Sequence, residues 1–150
     1  MSEIVRISDQ LKRAFKGEAW HGPALSEVLS QLSAEKAFAK LVNNSHSIWE
    51  IVAHIDAWHR VAITRIEGKI VELTDEEDWP PIDDISEIAW AKTLKNLNES
   101  YTNLQETISR LSDQDLEDII PGIDYSVYFL LHGIIQHDLY HAGQIAILKK

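Results

Sequence analysis

Two histidines, His137 and His141, lie four positions apart in an apolar segment near the C-terminal end of the sequence. Four residues make about one turn of an α-helix, so both imidazoles would project from the same side and could bind one metal ion. An ion held by neutral imidazoles with an unfilled coordination position can carry out chemistry, whereas two histidines packed in a core are only structural. Because the chain has seven histidines, a pair at this spacing also arises by chance, and the spacing alone is a weak signal.

A third metal ligand would come from another helix, and His54 and His59 are the main candidates. Each lies to one side of the apolar centre of its predicted helix, so a helical projection does not decide between them. His21 and His132 are weaker candidates. His132 lies five residues before His137 and would point about 140° away from it on the same helix, so we interpret it as a surface or packing histidine.

Asp138 and His21 are the candidate catalytic residues. Asp138 projects near the middle of the apolar face of its helix, where a carboxylate needs a partner. It could accept a hydrogen bond from a ligand histidine or from a neighbour such as His21 or His59, and an ion pair with a basic residue is the alternative. His21 precedes Gly22 and Pro23 and could act as an acid or base from a loop, with a packing role beside a helix as the alternative.

The composition of the chain excludes several classes of protein. Its 24 acidic and 14 basic residues give a formal charge of -10, which disfavours a nucleic-acid partner. It has no cysteine, so disulfides, thiolate metal sites and cysteine nucleophiles are excluded. A secretion signal and an apolar run of about 18 residues are both missing, which predicts a cytoplasmic protein that does not enter the membrane.

Apolar residues at helical spacing predict four long helices that would position these side chains, over residues 4–15, 48–66, 85–111 and 126–150. Ser47 and Glu50 predict a capping box at the start of the second helix, and Gly68 predicts its end. Asp84 and Glu87 predict a second capping box at the start of the third.

Glycine, proline and acidic residues in the sequence predict how the long helices are connected. Gly17 is predicted to end the first helix in the left-handed conformation, and the segment after Pro23 is predicted to extend that helix beyond a break. Ser33 begins a short turn that precedes a polar loop at Asn43 and Asn44. Residues 69–84 are acidic and then proline-rich, which predicts a long surface crossover. The sequence thus predicts one all-α domain over residues 1–150, a four-helix bundle with a long crossover between helices two and three.

Three segments together resemble the DinB family, also called DinB/YfiT-like metalloenzymes, and they are spread over most of the chain: residues 19–23, 46–58 and 131–145. The resemblance implies a four-helix bundle that binds a divalent metal through three histidines. One comes from the second helix and two come from an HxxxH motif on the last helix. Carried over to this sequence, the implied metal ligands are His54, His137 and His141.

A zinc or nickel ion held by three neutral imidazoles keeps open coordination positions. Such an ion lowers the pKa of bound water or binds a thiol as thiolate. The resemblance implies transferases and isomerases that use low-molecular-weight thiols such as bacillithiol or mycothiol. We therefore expect a metal-dependent transferase or hydrolase for a small molecule, with such a thiol as a candidate cosubstrate. The alternative is a non-catalytic, stress-associated metal-binding bundle, and in both cases the resemblance favours a homodimer.

Overall fold

The computed structural model describes residues 1–43 and 45–150, and in these ranges all regular elements are helices. The predicted all-α fold is therefore confirmed. Four helices are long: α1 (Glu3–Phe15), α4 (Ile48–Ile66), α6 (Glu87–Ser109) and α7 (Val127–Leu148). The shorter ones are α2 (Leu25–Val28), α3 (Ala34–Phe38), α5 (Asp75–Asp78) and a 3-10 helix at Asp113–Glu117.

The long helices share one apolar core. Helix α4 packs against both α6 and α7, and α1 packs against the same two helices. Each long helix therefore buries its apolar stripe against two neighbours. All four long helices contribute large, fully buried side chains, among them Ile7, Leu11, Phe15, Trp49, Ile55, Leu104, Ile108, Leu131 and Ile145. In the described ranges, none of the helices is both long and apolar enough to span a membrane.

The start of α4 is fixed by the predicted capping box. The Glu50 backbone N–H donates to Ser47 Oγ over 3.1 Å, and the Ser47 backbone N–H donates to the Glu50 carboxylate over 2.7 Å. Gly68 ends the helix as predicted, with a φ of +85°, a conformation that glycine adopts without strain. These caps set the register of the helix that carries His54 and His59.

The prediction of a capping box at Asp84 and Glu87 is wrong. Helix α6 begins two residues later than that box requires, and the Ser86 hydroxyl caps it by accepting from the Ala89 N–H over 3.1 Å. Asp84 instead accepts from the Ser86 N–H over 2.9 Å. The Glu87 carboxylate accepts from the Ala34 N–H over 2.9 Å and thereby ties α6 to the start of α3.

The prediction that the segment after Pro23 extends the first helix is also wrong. Gly17 has a φ of +154°, and it is Glu18 that takes the left-handed conformation, with a φ of +62°. The chain therefore turns away from the axis of α1, and α2 is only a single turn. The turn predicted at Ser33 is present as α3, with Ser33 as its N-cap. Asn43 lies in a turn, and Asn44 lies outside the described residues.

Candidate metal centre

Three histidine side chains from α4 and α7 converge on one point. Nε2 of His137 lies 3.0 Å from Nε2 of His54 and 3.1 Å from Nε2 of His141. One ligand atom from each residue lies within 4.8 Å of the others. A tetrahedral zinc ion with Zn–N bonds of about 2.0–2.1 Å separates its nitrogens by roughly 3.3 Å. The spacing of this histidine cluster is therefore close to what one ion requires.

Hydrogen bonds outside the cluster determine which nitrogen of two of these rings is free. His54 Nδ1 lies 2.7 Å from the backbone oxygen of Asp78, and a carbonyl can only accept, so Nδ1 carries the proton. His141 Nδ1 likewise donates to the side-chain oxygen of Gln144 over 2.6 Å. Both rings consequently present an unprotonated Nε2 to the cluster, which is the tautomer that a metal ligand requires.

His137 lies between the other two rings and lacks such an outer partner. Its Nδ1 is buried and has no hydrogen-bond partner among the described residues. Its Nε2 faces two unprotonated nitrogens at once, and a single N–H on that atom can be directed at only one of them. A cation at the centre would satisfy all three nitrogens together, so the donor set fits a divalent metal.

Burial keeps all three imidazoles neutral. The pKa of His137 is lowered to about 3, first by burial and then by its neighbours His141 and His54. Burial is also the main cause that lowers the pKa of His54 and of His141. Neutral imidazole is the form that coordinates a metal. At neutral pH the cluster therefore does not have to lose a proton before it binds a metal ion.

The crossover between α4 and α6 lies directly on this cluster. The Trp79 ring stacks on the His54 ring with centroids 3.9 Å apart and on the His46 ring with centroids 3.5 Å apart. The Asp78 carboxylate accepts from the Trp58 indole N–H over 2.7 Å. The sequence predicts this segment only as a connection over the surface and does not predict its contacts with the cluster. The one signal it offered was an acidic residue and a tryptophan directly before two prolines.

Two cavities reach the cluster from different sides. One, of about 300 Å³, is bordered by His54 and His137. The other, of about 460 Å³, is bordered by His141 together with Trp79, Tyr140 and Gln144. The cluster is therefore accessible to small molecules from both sides, unlike a site that its own ligands close.

Asp138 and His59 form a separate pair beside the cluster. Both side chains are fully buried, and His59 Nε2 lies 2.9 and 3.0 Å from the two carboxylate oxygens of Asp138. Of the partners predicted for Asp138, the structure brings it to His59 rather than to His21, a ligand histidine or a basic residue. Helical projection did not decide which histidine of α4 would be the third candidate ligand. In the structure, His54 joins the cluster and His59 pairs with Asp138.

The structure does not bring His21 to the cluster. Its side chain is exposed, its Nε2 lies 3.2 Å from the backbone oxygen of Pro23, and it lines a different cavity with Trp20 on the side of α1. His132 is half-buried and packs on the Tyr128 ring with centroids 4.3 Å apart. Its position agrees with the surface or packing role that the sequence predicted.

The fold and the site define an all-helical protein in which two of the long helices bring three histidines together in a cluster compatible with metal binding. A family model described as the DinB superfamily matches residues 19–145, and the chain belongs to this superfamily. Among solved structures, a DinB-like protein from Bacillus cereus ATCC 10987 has a similar fold, with a TM-score of 0.63 and 17% sequence identity. The alignment covers 97% of this chain and 87% of that one. No curated protein sequence matches the chain.

Proposed function

We propose that this protein is a divalent-metal-dependent enzyme that acts on a small molecule as a transferase or hydrolase. The observation that supports this most is the convergence of three Nε2 atoms, from His54, His137 and His141, at a point reached by two cavities. Imidazole nitrogens without thiolates suit zinc or nickel. A bound ion would supply a Lewis acid that activates water or a thiol near neutral pH.

The side chains around the cluster would orient the ligands. The Asp78 carbonyl holds the His54 ring through Nδ1, and Gln144 does the same for His141. Such partners fix the tautomer and increase the basicity of the coordinating nitrogen. The cavities would position the substrate and exclude bulk water from the reacting atoms. A low-molecular-weight thiol is the cosubstrate that we propose to test first.

A purely structural metal site is the competing function. Structural zinc sites are almost always closed by four protein ligands, whereas catalytic sites keep a position open. In the described ranges the cluster consists of three histidines, and no carboxylate belongs to it. This difference favours an enzyme over a metal-binding bundle whose ion only adds stability.

The proposal is tested by metal content and by activity on the same preparation. We expect one zinc or nickel ion per chain after reconstitution, measured by elemental analysis, and thiol conjugation or hydrolysis that a chelator abolishes. His141→Ala should lose both the ion and the activity. His132→Ala, a change on the same helix away from the cluster, is the matched control and should keep both. Full activity in chelator or in His141→Ala would contradict the proposal.

The proposed homodimer, the cytoplasmic location and the absence of a nucleic-acid partner stay predictions. Light scattering coupled to size-exclusion chromatography checks the first of them.

A further inference from the structure

We propose that the cavity bordered by His54 and His137 binds the uncharged aromatic end of the substrate. The inference rests on the proposed function, because it assigns a substrate class to the same site. The cavity, called here the Trp58 cavity, is walled by Trp58, Tyr125, Phe129, Leu130 and Ile134 and has a volume of about 300 Å³. That volume is at the lower end for small-molecule sites and suits one ring with a short substituent.

Contacts within the protein hold the Trp58 and Tyr125 walls of the Trp58 cavity in place, whereas Phe129 is largely exposed. The Trp58 indole is anchored by its hydrogen bond to Asp78, and the Tyr125 ring packs against Phe129 with centroids 5.1 Å apart. Aromatic rings favour tilted or offset packing against another ring. Walls that are already ordered lose little conformational freedom when a ligand binds.

The charges around the Trp58 cavity favour a neutral ligand. None of its described lining residues is Lys or Arg, and the charged side chain that borders it is the Asp78 carboxylate. Arg65 lies behind the wall, where it donates to the Tyr125 hydroxyl over 2.7 Å and lies 5.5 Å from the centre of the Trp58 ring. An anionic ligand would meet a carboxylate and find no lysine or arginine on the described wall.

Gly133 leaves the space in which a ring would lie. It occupies an ordinary helical position within α7, where glycine is a poor helix former. A Cβ atom added there would meet nothing within 4 Å, so close packing does not require glycine at this position. Gly133 and His137 are four residues apart and therefore share a helix face. A ring over Gly133 would direct its substituent toward the histidine cluster.

The first test follows the amide signals of the ¹⁵N-labelled full chain during titration with benzyl alcohol, with benzoate and with glycerol. We expect benzyl alcohol to give saturable shifts of the Gly133 amide and the Trp58 indole N–H, while the Gly143 amide stays unchanged. In metal-free protein benzoate should bind about tenfold more weakly because its charge is not compensated, and glycerol should not saturate. Benzoate binding to metal-free protein as tight as benzyl alcohol would overturn the inference.

The second test fills the cavity. Gly133→Leu should remove the benzyl alcohol shift of the Trp58 indole. Gly143→Leu is the matched control, because Gly143 lies on the same helix, is exposed, and also has open space around an added Cβ. Leucine is a better helix former than glycine at both positions, so both variants should fold. Unchanged benzyl alcohol binding in Gly133→Leu would overturn the inference.

Both titrations are run on metal-free and zinc-loaded protein, and zinc affinity is measured for each variant. We expect Gly133→Leu to keep binding zinc, since Gly133 supplies no ligand atom and an added Cβ meets nothing within 4 Å. If the wild-type chain does not bind zinc, the proposed function fails. The titrations on metal-free protein then still show whether the cavity selects a neutral ring.

Discussion

Helices α4 and α7 place histidines at two neighbouring sites that differ in their partners and in their access to solvent. At the first, His54 meets His137 and His141, no carboxylate of the described residues joins their converging Nε2 atoms, and cavities reach the rings. The Asp78 carboxylate lies on the outer side of the His54 ring, 3.0 Å from Nδ1. At the second, His59 meets Asp138, and both side chains have no exposed surface. The same two helices thus build an open, nitrogen-only site and a closed histidine–carboxylate pair within about one turn of each other.

The difference shows that partners and access, rather than residue type, decide what a buried histidine does. His59 Nε2 donates to the Asp138 carboxylate within the core, so this nitrogen needs no metal, and only His59 Nδ1 is left without a hydrogen-bond partner among the described residues. In the cluster, three unprotonated or under-satisfied nitrogens face one another, and a cation is the partner that suits all of them. We therefore expect the His59–Asp138 pair to contribute stability and the histidine cluster to contribute metal binding. Substitutions at the two sites should separate these roles.

The largest expected effect is on stability, from His59→Ala. This change leaves the Asp138 carboxylate buried without its partner, and breaking a buried pair in this way costs about 3–5 kcal/mol of unfolding free energy. Urea denaturation of metal-free protein measures it. Asp124→Ala, at an exposed aspartate, is the control and should stay within about 0.5 kcal/mol of wild type. An Asp138→Asn variant with strongly reduced zinc affinity would contradict these roles, because Asp138 contacts His59 rather than a ligand.

The next effect is on metal affinity, from His54→Ala. Removal of one of three ligands should weaken zinc binding by more than about 100-fold, beyond the roughly 10–100-fold typical of residues that only orient a ligand. Isothermal titration on metal-stripped protein measures the loss. The metal-free variant should lose less stability than His59→Ala, because His54→Ala removes the stacking on Trp79 and the hydrogen bond to Asp78 but leaves no buried carboxylate without a partner. If His54→Ala is instead the unstable variant and still binds zinc, the roles assigned to the two sites are reversed.

A smaller effect is expected from Gln144→Ala, which removes the acceptor of the His141 Nδ1 proton. Zinc affinity should fall about tenfold, because His141 loses its fixed orientation while it remains a ligand. Gln136→Ala, at an exposed glutamine of the same helix, is the matched control and should bind zinc normally. Equal affinities for the two variants would show that Gln144 does not orient the ring.

The smallest effect is a pH dependence of stability in metal-free protein. The pKa of His137 is lowered to about 3 in the folded chain, so the unfolded chain takes up its proton first as the pH falls below about 6.5. The corresponding stability is complete above pH 6.5 and is lost as the pH falls toward 3. Since His137 is only partly buried, we expect a loss of about 1 kcal/mol between pH 7 and pH 5. His137→Ala should reduce this loss in urea denaturation, and an identical pH profile would contradict the assignment.

Much of the fold was predictable because it follows from local patterns. The apolar periodicity placed the four long helices within a few residues of their ends, and the Ser47 capping box is a contact between residues three apart. The failures have non-local causes. Glu87 is not a cap because its carboxylate reaches Ala34 in another helix, and the segment after Pro23 turns away from α1 through backbone conformations at Gly17 and Glu18.

The candidate site likewise has features that the sequence predicts and features that it does not. The sequence alone determined that His137 and His141 share a helix face, because that follows from a spacing of four residues. Helical projection left His54 and His59 equivalent, since both flank the apolar stripe of α4, and only the family resemblance implied His54. The sequence did not indicate that Asp78 and Trp79 would contact the cluster.

Only the tertiary structure decided these points. The rotation of α4 about its own axis relative to α7 is determined by the packing of the entire core, and that rotation directs His54 to the cluster and His59 to Asp138. The contacts of Asp78 and Trp79 with His54 depend on where the long connection between α4 and α6 lies. Helical periodicity in the sequence does not predict the path of such a connection. The residue types and their spacing were therefore readable in the sequence, whereas their partners were decided by packing.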